Sequence, residues 1–283
     1  VGANGCTGDT YTMTITVNPE PTLATLNTTK CSDEPLGFSL AVATGSVPAV
    51  NYNITSISAN GLTSSAGLPS SGFGLPSSSI ADDAWTNTTN APVDVVYTVV
   101  PVSAAGCQGD PRTITITVNP EPSLANLSNA VCSDAPSGIT LAVAGTSVPA
   151  ATYNITAIND GGLISSAGVP AVGNGLLAAV IADDAWTNKT NSDVNVVYTV
   201  VPVSASGCSG NPVDVTLTVR PEPVLANLNT SVCSDAAFGF NLSLALGSSP
   251  AASYNITSIN SNGLSASAGL PSSGFGLPSS SIA

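Results

Sequence analysis

Histidine is absent from this 283-residue chain, and only Lys30, Arg112, Lys189 and Arg220 are basic. Without histidine no Ser-His or Cys-His pair exists to activate a nucleophile. Against four basic residues stand seventeen acidic ones, for a net charge of −13. A surface of that sign is a poor partner for nucleic acid or anionic membrane. Charge of either sign is scarce, at 7% of residues, so solubility rests on hydroxyls and amides. Scarce Lys and Glu remove the good helix formers, while abundant Val, Ile and Thr favour strands. No apolar run approaches a membrane span, and no glycine-rich phosphate loop follows a strand. With neither histidine nor a Cys-x-x-Cys motif, two cysteines per repeat do not supply the four N or S ligands of a zinc site.

What the chain does have is a fixed step. Cys6, Cys107 and Cys208 form one series, Cys31, Cys132 and Cys233 another, and both advance by 101 residues. The same step carries Tyr52 to Tyr153 and Tyr254, Trp85 to Trp186, and Pro19-Glu20-Pro21 to 120–122 and 221–223. No residue is gained or lost between copies. A period near a hundred residues matches one small domain and is too long for a solenoid unit. Val1 aligns with Val102 and Ala283 with Ala81 and Ala182, so both ends are expected to fall inside a repeat of something longer.

The clearest strand signal is 113–118, where Ile and Val alternate with Thr; its equivalents place Met13, Ile15, Val17 and Val215, Leu217, Val219 on one buried face. Residues 93–102 are apolar on both faces, as in mid-sheet, and 106–111 read as the turn of a hairpin. Upstream, Phe38, Leu40 and Val42 (Ile139, Leu141, Val143; Phe240, Leu242, Leu244) alternate as a further strand, and Tyr52 and Ile54 begin another. About seven short strands per hundred residues, with no helical pattern, predict an all-β fold: tandem immunoglobulin-like sandwiches.

Two prolines spaced by one residue stiffen the chain and stop a sheet. The expected division is residues 1–19 as the last strand of a preceding repeat, complete repeats at 20–120 and 121–221, and a truncated repeat at 222–283. Linkers this short favour an extended rod.

The set Trp85-Thr86-Asn87-Thr88-Thr89, Val96-Tyr97-Thr98-Val99-Val100-Pro101, Gly106-Cys107-Gln108-Gly109, Ile116-Thr117-Val118-Asn119-Pro120 and Cys132-Ser133-Asp134 resembles the PKD-like, immunoglobulin-like repeats of large Bacteroidota surface proteins. The resemblance covers the whole chain. It implies spacer or stalk modules of long adhesins, including ones linked to gliding and exported by the type IX system, and it implies no catalytic residue.

Four constellations are candidate sites. Asp82-Asp83 and Asp183-Asp184, each ahead of Ala-Trp, read as a solvated turn or as calcium ligands; adjacent strand residues point to opposite faces, and calcium needs six to eight oxygens. Trp85 and Trp186 read as core plugs, with sugar stacking as the alternative. Glu20, Asp33 and Asp134 lie near domain ends, where a shared calcium is the alternative to plain surface charge. Asn53, Asn154 and Asn255 open Asn-x-Thr triplets, the glycosylation pattern, although such triplets also arise by chance in this composition. The glycine-rich run 66–76 recurs nearly unchanged at 268–278 but differs at 167–177, which points to duplication of a two-domain unit. Leu68, Phe73 and Leu75 in that run are expected to be exposed, for lateral packing in a bundle, or to cover an edge.

Regular cysteines without metal partners read as disulfides, and hence as an oxidising, extracellular address. Cys107 follows the penultimate strand, at the end facing the previous domain, whereas Cys132 sits at the end facing the next. Those ends are roughly 30–40 Å apart for strands of eight to ten residues, and a disulfide needs Cα atoms within about 7 Å. The topology therefore favours an interdomain Cys31–Cys208 bond. The intradomain pairs Cys31–Cys107 and Cys132–Cys208, and the 25-residue pair Cys107–Cys132, stay open. The functional expectation is a non-catalytic stalk or filament segment of an extracellular, surface-bound adhesin, without cofactor. Its expected partners are the neighbouring repeats and, laterally, further copies. The alternative is an array of glycan- or calcium-binding modules giving avidity.

Overall fold

The structure, a computed structural model, describes every residue except Phe240, Ala268, Leu270, Pro271 and Ala283. The described residues form strands, turns and extended chain, with no helix. Two compact units divide at the second Pro-Glu-Pro: Val1–Glu121 and Pro122–Ala283.

In the first unit the strands are β1 (Thr28–Cys31), β2 (Ala49–Ser58), β3 (Thr63–Ala66), β4 (Gly72–Leu75), β5 (Ala84–Thr86), β6 (Val93–Ser103) and β7 (Arg112–Asn119). Five of them make one sheet in the order β1-β7-β6-β2-β4, and β3 pairs with β5 separately. The period-two pattern of β7 explains its place: Ile114, Ile116 and Val118 are buried while the threonines between them face outward. β6 lies between β7 and β2, as its two apolar faces require. Val95, Tyr97 and Val99 from β6 form the middle of the core, with Leu23, Leu36, Leu40, Ile80 and Trp85 closing it from the opposite layer. Full burial of each such side chain is worth about 1.5–3 kcal/mol. Leu23 bridges Val42 antiparallel, and five residues later the chain crosses to run parallel beside β7.

The second unit repeats this plan with β8 (Ser128–Cys132), β9 (Ala150–Asn159), β10 (Ile164–Ala167), β11 (Gly173–Leu176), β12 (Ala185–Thr187), β13 (Val194–Ser204) and β14 (Val213–Arg220). Its sheet runs β11-β9-β13-β14-β8, with β10 on β12. The last part of the chain adds β15 (Tyr254–Ile256) paired with β16 (Gly274–Leu277). These are tandem immunoglobulin-like β-sandwich domains.

Three expectations change. Met13, Ile15 and Val17 form no strand and are 84%, 77% and 86% exposed, because no strand among the described residues pairs with them, and a lone strand leaves its backbone groups in water. The run at Phe38, Leu40 and Val42 keeps its inward alternation without becoming a strand. Its amides bond instead to turn-rich chain, Leu36 to the Asp83 carbonyl, Gly37 to Ala81 and Leu40 to Ser77. Phe240, in the third copy of that run, lies outside the described residues, as do three residues of the third glycine-rich copy. The glycine-rich excursion begins at the last residue of β3 and contains β4, and of its apolar residues Leu68 and Phe73 are exposed while Leu75 packs on the core.

Candidate functional site

Each complete repeat holds a buried polar chain. Trp85 Nε1 donates to the Tyr97 hydroxyl at 3.1 Å, and that hydroxyl donates to Asp83 Oδ2 at 2.8 Å. Trp186, Tyr198 and Asp184 reproduce it at 3.0 and 2.8 Å. β5 and β6 set this geometry, Trp85 lying on one and Tyr97 on the other, both facing the core. Asp83 and Asp184 are each 1% exposed, and the second carboxylate oxygen of each has no hydrogen-bond partner among the described residues. Burial pushes the Asp83 carboxyl up; the Tyr97 hydrogen bond opposes this and the Asp82 charge adds to it. Burial likewise raises Tyr97 well above the usual phenol range. Gly67, at φ +67°, lies directly over Asp83, where an added Cβ would come within 2.6 Å of Oδ1.

This placement separates the acidic pairs. Asp82 is exposed while Asp83 points inward to Tyr97, so Asp82-Asp83 and Asp183-Asp184 do not converge on a cation. The solvated-turn reading fails for Asp83 and Asp184, because the core tyrosine supplies each with a donor. Among the described residues no three His, Cys, Asp or Glu side chains approach closely enough to hold a metal. Trp85 and Trp186 are buried core residues, which removes the aromatic platform that sugar stacking needs.

The repeat ends hold the remaining candidates. Asp33, at φ 62°, accepts from Thr86 Oγ1 at 2.6 Å, and Asp134 accepts from Thr187 Oγ1 at the same distance. Glu121 is pushed up by burial and by the Asp33 charge. The second repeat differs in charge: Asp134 is held below the usual carboxylate range, first by the Thr187 hydrogen bond, and Lys189 lies 4.0 Å from Glu222. Glu20 is exposed in the leading segment. Asn53, Asn154 and Asn255 each accept the backbone N–H of a glycine in the adjoining edge strand, Gly74, Gly175 and Gly276. Their amides thus hold the edge strand in register, a structural use that the glycosylation reading did not foresee. A surface depression is lined by Ala24, Thr25, Pro111, Arg112 and Thr113, with Arg112 its one charged group.

Two contacts at the ends have no counterpart in the sequence-based expectations. Gly109 is pressed against the linker, an added Cβ lying 1.8 Å from the Pro21 carbonyl oxygen, and Gly210 stands at the same 1.8 Å from Pro122. Asn87 Nδ2 donates to the carbonyls of Ala91 at 3.0 Å and Val118 at 2.7 Å, tying the loop before β6 to the end of β7; Asn188 does the same for Ser192 and Val219. Both sets recur at the 101-residue step, and that recurrence was the available signal.

Cys31 and Cys208 are disulfide-bonded, and Cys6, Cys107, Cys132 and Cys233 carry free thiols. The pairs Cys31–Cys107, Cys132–Cys208 and Cys107–Cys132 are therefore not formed. Cys31 ends β1 opposite Asn119, beside the trailing linker. Cys208 is fully buried in the hairpin before β14, where its N–H donates to Ser204 Oγ at 3.1 Å.

Among known proteins, no curated sequence matches the chain. Solved structures that resemble it include human protocadherin-24 EC1-2, with 14% identity over 73% of this chain and 100% of that one at a TM-score of 0.29. The D00-D0 domain of intimin has 12% identity over 70% and 98% of the two chains at 0.28, and fibronectin(III)-like modules of Clostridium thermocellum CbhA have 8% over 71% and 94% at 0.25. Likeness at this level speaks to no ligand or partner. The family model for the PKD-like domain matches residues 71–122 and 130–223, together just over half the chain. With both complete sandwiches carrying the match, this chain belongs to the PKD-like domain family.

Proposed function

We propose that this chain is a non-catalytic structural segment, a rod of immunoglobulin-like domains divided at 1–19, 20–120, 121–221 and 222–283. It would serve as stalk or filament of a large extracellular adhesin, displayed at a bacterial cell surface and exported by the type IX route of Bacteroidota. The observation that carries this reading is that both complete repeats grip their leading linkers with the same backbone contact. Gly109 meets Pro21 as Gly210 meets Pro122, and on the trailing side the Glu222 N–H donates to the Asn188 carbonyl at 2.9 Å. A linker held by its repeat does not act as a free hinge.

The proposal includes an interdomain staple joining Cys31 to Cys208. Supporting it are the oxidised state of both, the free thiols of the other four, and the places of the two at a trailing and a leading end of consecutive repeats. The disulfide also fits an extracellular address. Neighbouring repeats are the primary partners, and exposed Leu68 and Phe73 supply an apolar surface for lateral self-association. Electron microscopy of the purified chain tests the reading: particles several times longer than wide are expected, and a compact globule would remove it.

A further inference from the structure

Two of the four free cysteines sit in the same backbone frames as the two bonded ones. In the second repeat the Cys208 N–H donates to Ser204 Oγ at 3.1 Å, the Ser204 N–H donates to the Cys208 carbonyl at 2.9 Å, and the Gly207 N–H donates to the Ser204 carbonyl at 3.0 Å. Cys107 repeats this frame on Ser103 and Gly106 at 3.2, 2.9 and 2.9 Å. At the trailing end of the first repeat, Cys31 closes β1 opposite Asn119, and the Ser32 N–H donates to the Asn119 carbonyl at 2.8 Å. Cys132 closes β8 opposite Arg220, with the Ser133 N–H on the Arg220 carbonyl at 2.9 Å.

Cover is where the pairs differ. Cys208 is fully buried and Cys31 half-buried, whereas their counterparts Cys107 and Cys132 are half-buried and exposed. The Cys107 thiol donates to the Asn18 carbonyl at 3.9 Å, and Asn18 lies one step of 101 before Asn119, the residue that faces Cys31. A hairpin cysteine and a first-strand cysteine are thus both aimed at the residue that precedes Pro-Glu-Pro. The other two thiols lack such frames: Cys233 ends no strand, and Cys6 follows a turn in chain that forms none.

We infer that Cys107 and Cys132 are open halves of the staple and that each takes its partner from a second copy of this chain, Cys132 of one bonding Cys107 of the next. The inference rests on the Cys31–Cys208 staple of the stalk reading. Each copy offers one half of each kind, so the contact is head-to-tail and extends without closing on itself. The bond needs a two-electron oxidant, which a small-molecule disulfide supplies. The exposed Cys132 thiolate attacks one of its sulfurs, forming a mixed disulfide and expelling one thiolate, and the Cys107 thiolate of the second copy displaces the other. Two protein thiols are oxidised, and the two departing thiolates take up their protons.

The test is incubation of the whole chain, as isolated, with oxidised glutathione, read by non-reducing gel electrophoresis and peptide mapping of each band. A ladder of multimers is expected, with the Cys107 peptide joined to the Cys132 peptide in every multimer and Cys31 still joined to Cys208. Cys107→Ser and Cys132→Ser should each abolish the ladder, and an equimolar mixture of the two variants should stop at a dimer. Replacing Cys6 and Cys233 by serine together should leave the ladder intact. Multimers linked chiefly through Cys6 or Cys233, a Cys107–Cys132 link confined to monomers, or monomers with glutathione on both residues would overturn the inference and leave the Cys31–Cys208 staple standing. A map joining Cys31 to Cys107 would remove the staple and the inference with it. The expected ladder from chains that microscopy shows as compact globules would keep the inference and remove the stalk.

Discussion

Gly109 and Pro21 touch so closely that no side chain fits between them: the space a Cβ would fill on Gly109 lies 1.8 Å from the Pro21 carbonyl oxygen. Both sides of this contact are backbone, so neither gives way cheaply. Gly109→Ala is expected to cost about 1–3 kcal/mol, the range for forcing atoms into a packed site, and Gly210→Ala the same in its own repeat. Gly145→Ala, which meets nothing within 4 Å, should stay within about 0.5 kcal/mol of the parent. Urea unfolding of the three variants makes the comparison.

Tyr97 supplies the hydrogen bond to the buried Asp83 carboxylate. Tyr97→Phe leaves that charge without a donor and is expected to destabilise the repeat by about 2–3 kcal/mol, more than a neutral hydrogen bond would. Circular dichroism melts of Tyr97→Phe and Tyr198→Phe check it, and an unchanged melting temperature would contradict the buried arrangement.

The same carboxylates set a pH dependence. Asp83 and Asp184 are raised in the folded state, so the folded repeat keeps a proton over a range where the unfolded chain has lost it. Their contribution to stability is full below the ordinary carboxylate pKa and falls as pH rises through the raised value. Replacing both by asparagine should flatten this dependence and raise stability at neutral pH. Chemical unfolding of parent and double variant between pH 3 and pH 8 reads it directly, and parallel curves would contradict it.

Asn87 donates to two carbonyls from a fully buried side chain. Asn87→Ala takes its donor from the Val118 carbonyl, whereas the Ala91 carbonyl keeps the Thr89 hydroxyl at 2.8 Å, and is expected to cost about 1–3 kcal/mol. Faster hydrogen exchange should then be confined to the loop before β6 and the end of β7.

Periodicity made the sandwich legible. Ile114, Ile116 and Val118 alternate with threonine because one face of β7 is wet, and residues 93–102 are apolar on both faces because β6 is central. Trp85 was readable as core from its place before that strand. Phe38 misled because inward alternation persists in chain whose amides bond to turns, which apolar spacing does not register. Met13 misled because a strand's pattern says nothing about whether a partner is present to pair with it. Asp83 looked like surface charge, since its acceptor role depends on Tyr97, fourteen residues away in sequence and adjacent only after folding. The Gly109–Pro21 contact was hidden for the same reason, and glycines in turns ordinarily mean φ freedom.

The proposed stalk has consecutive repeats fastened end to end through Cys31 and Cys208. Peptide mapping of the unreduced chain after cleavage at acidic residues tests it most directly. One cross-linked species is expected, joining the peptide that contains Cys31 to the peptide that contains Cys208, which disappears on reduction. A peptide joining Cys31 to Cys107, or free thiols at both Cys31 and Cys208, would contradict it.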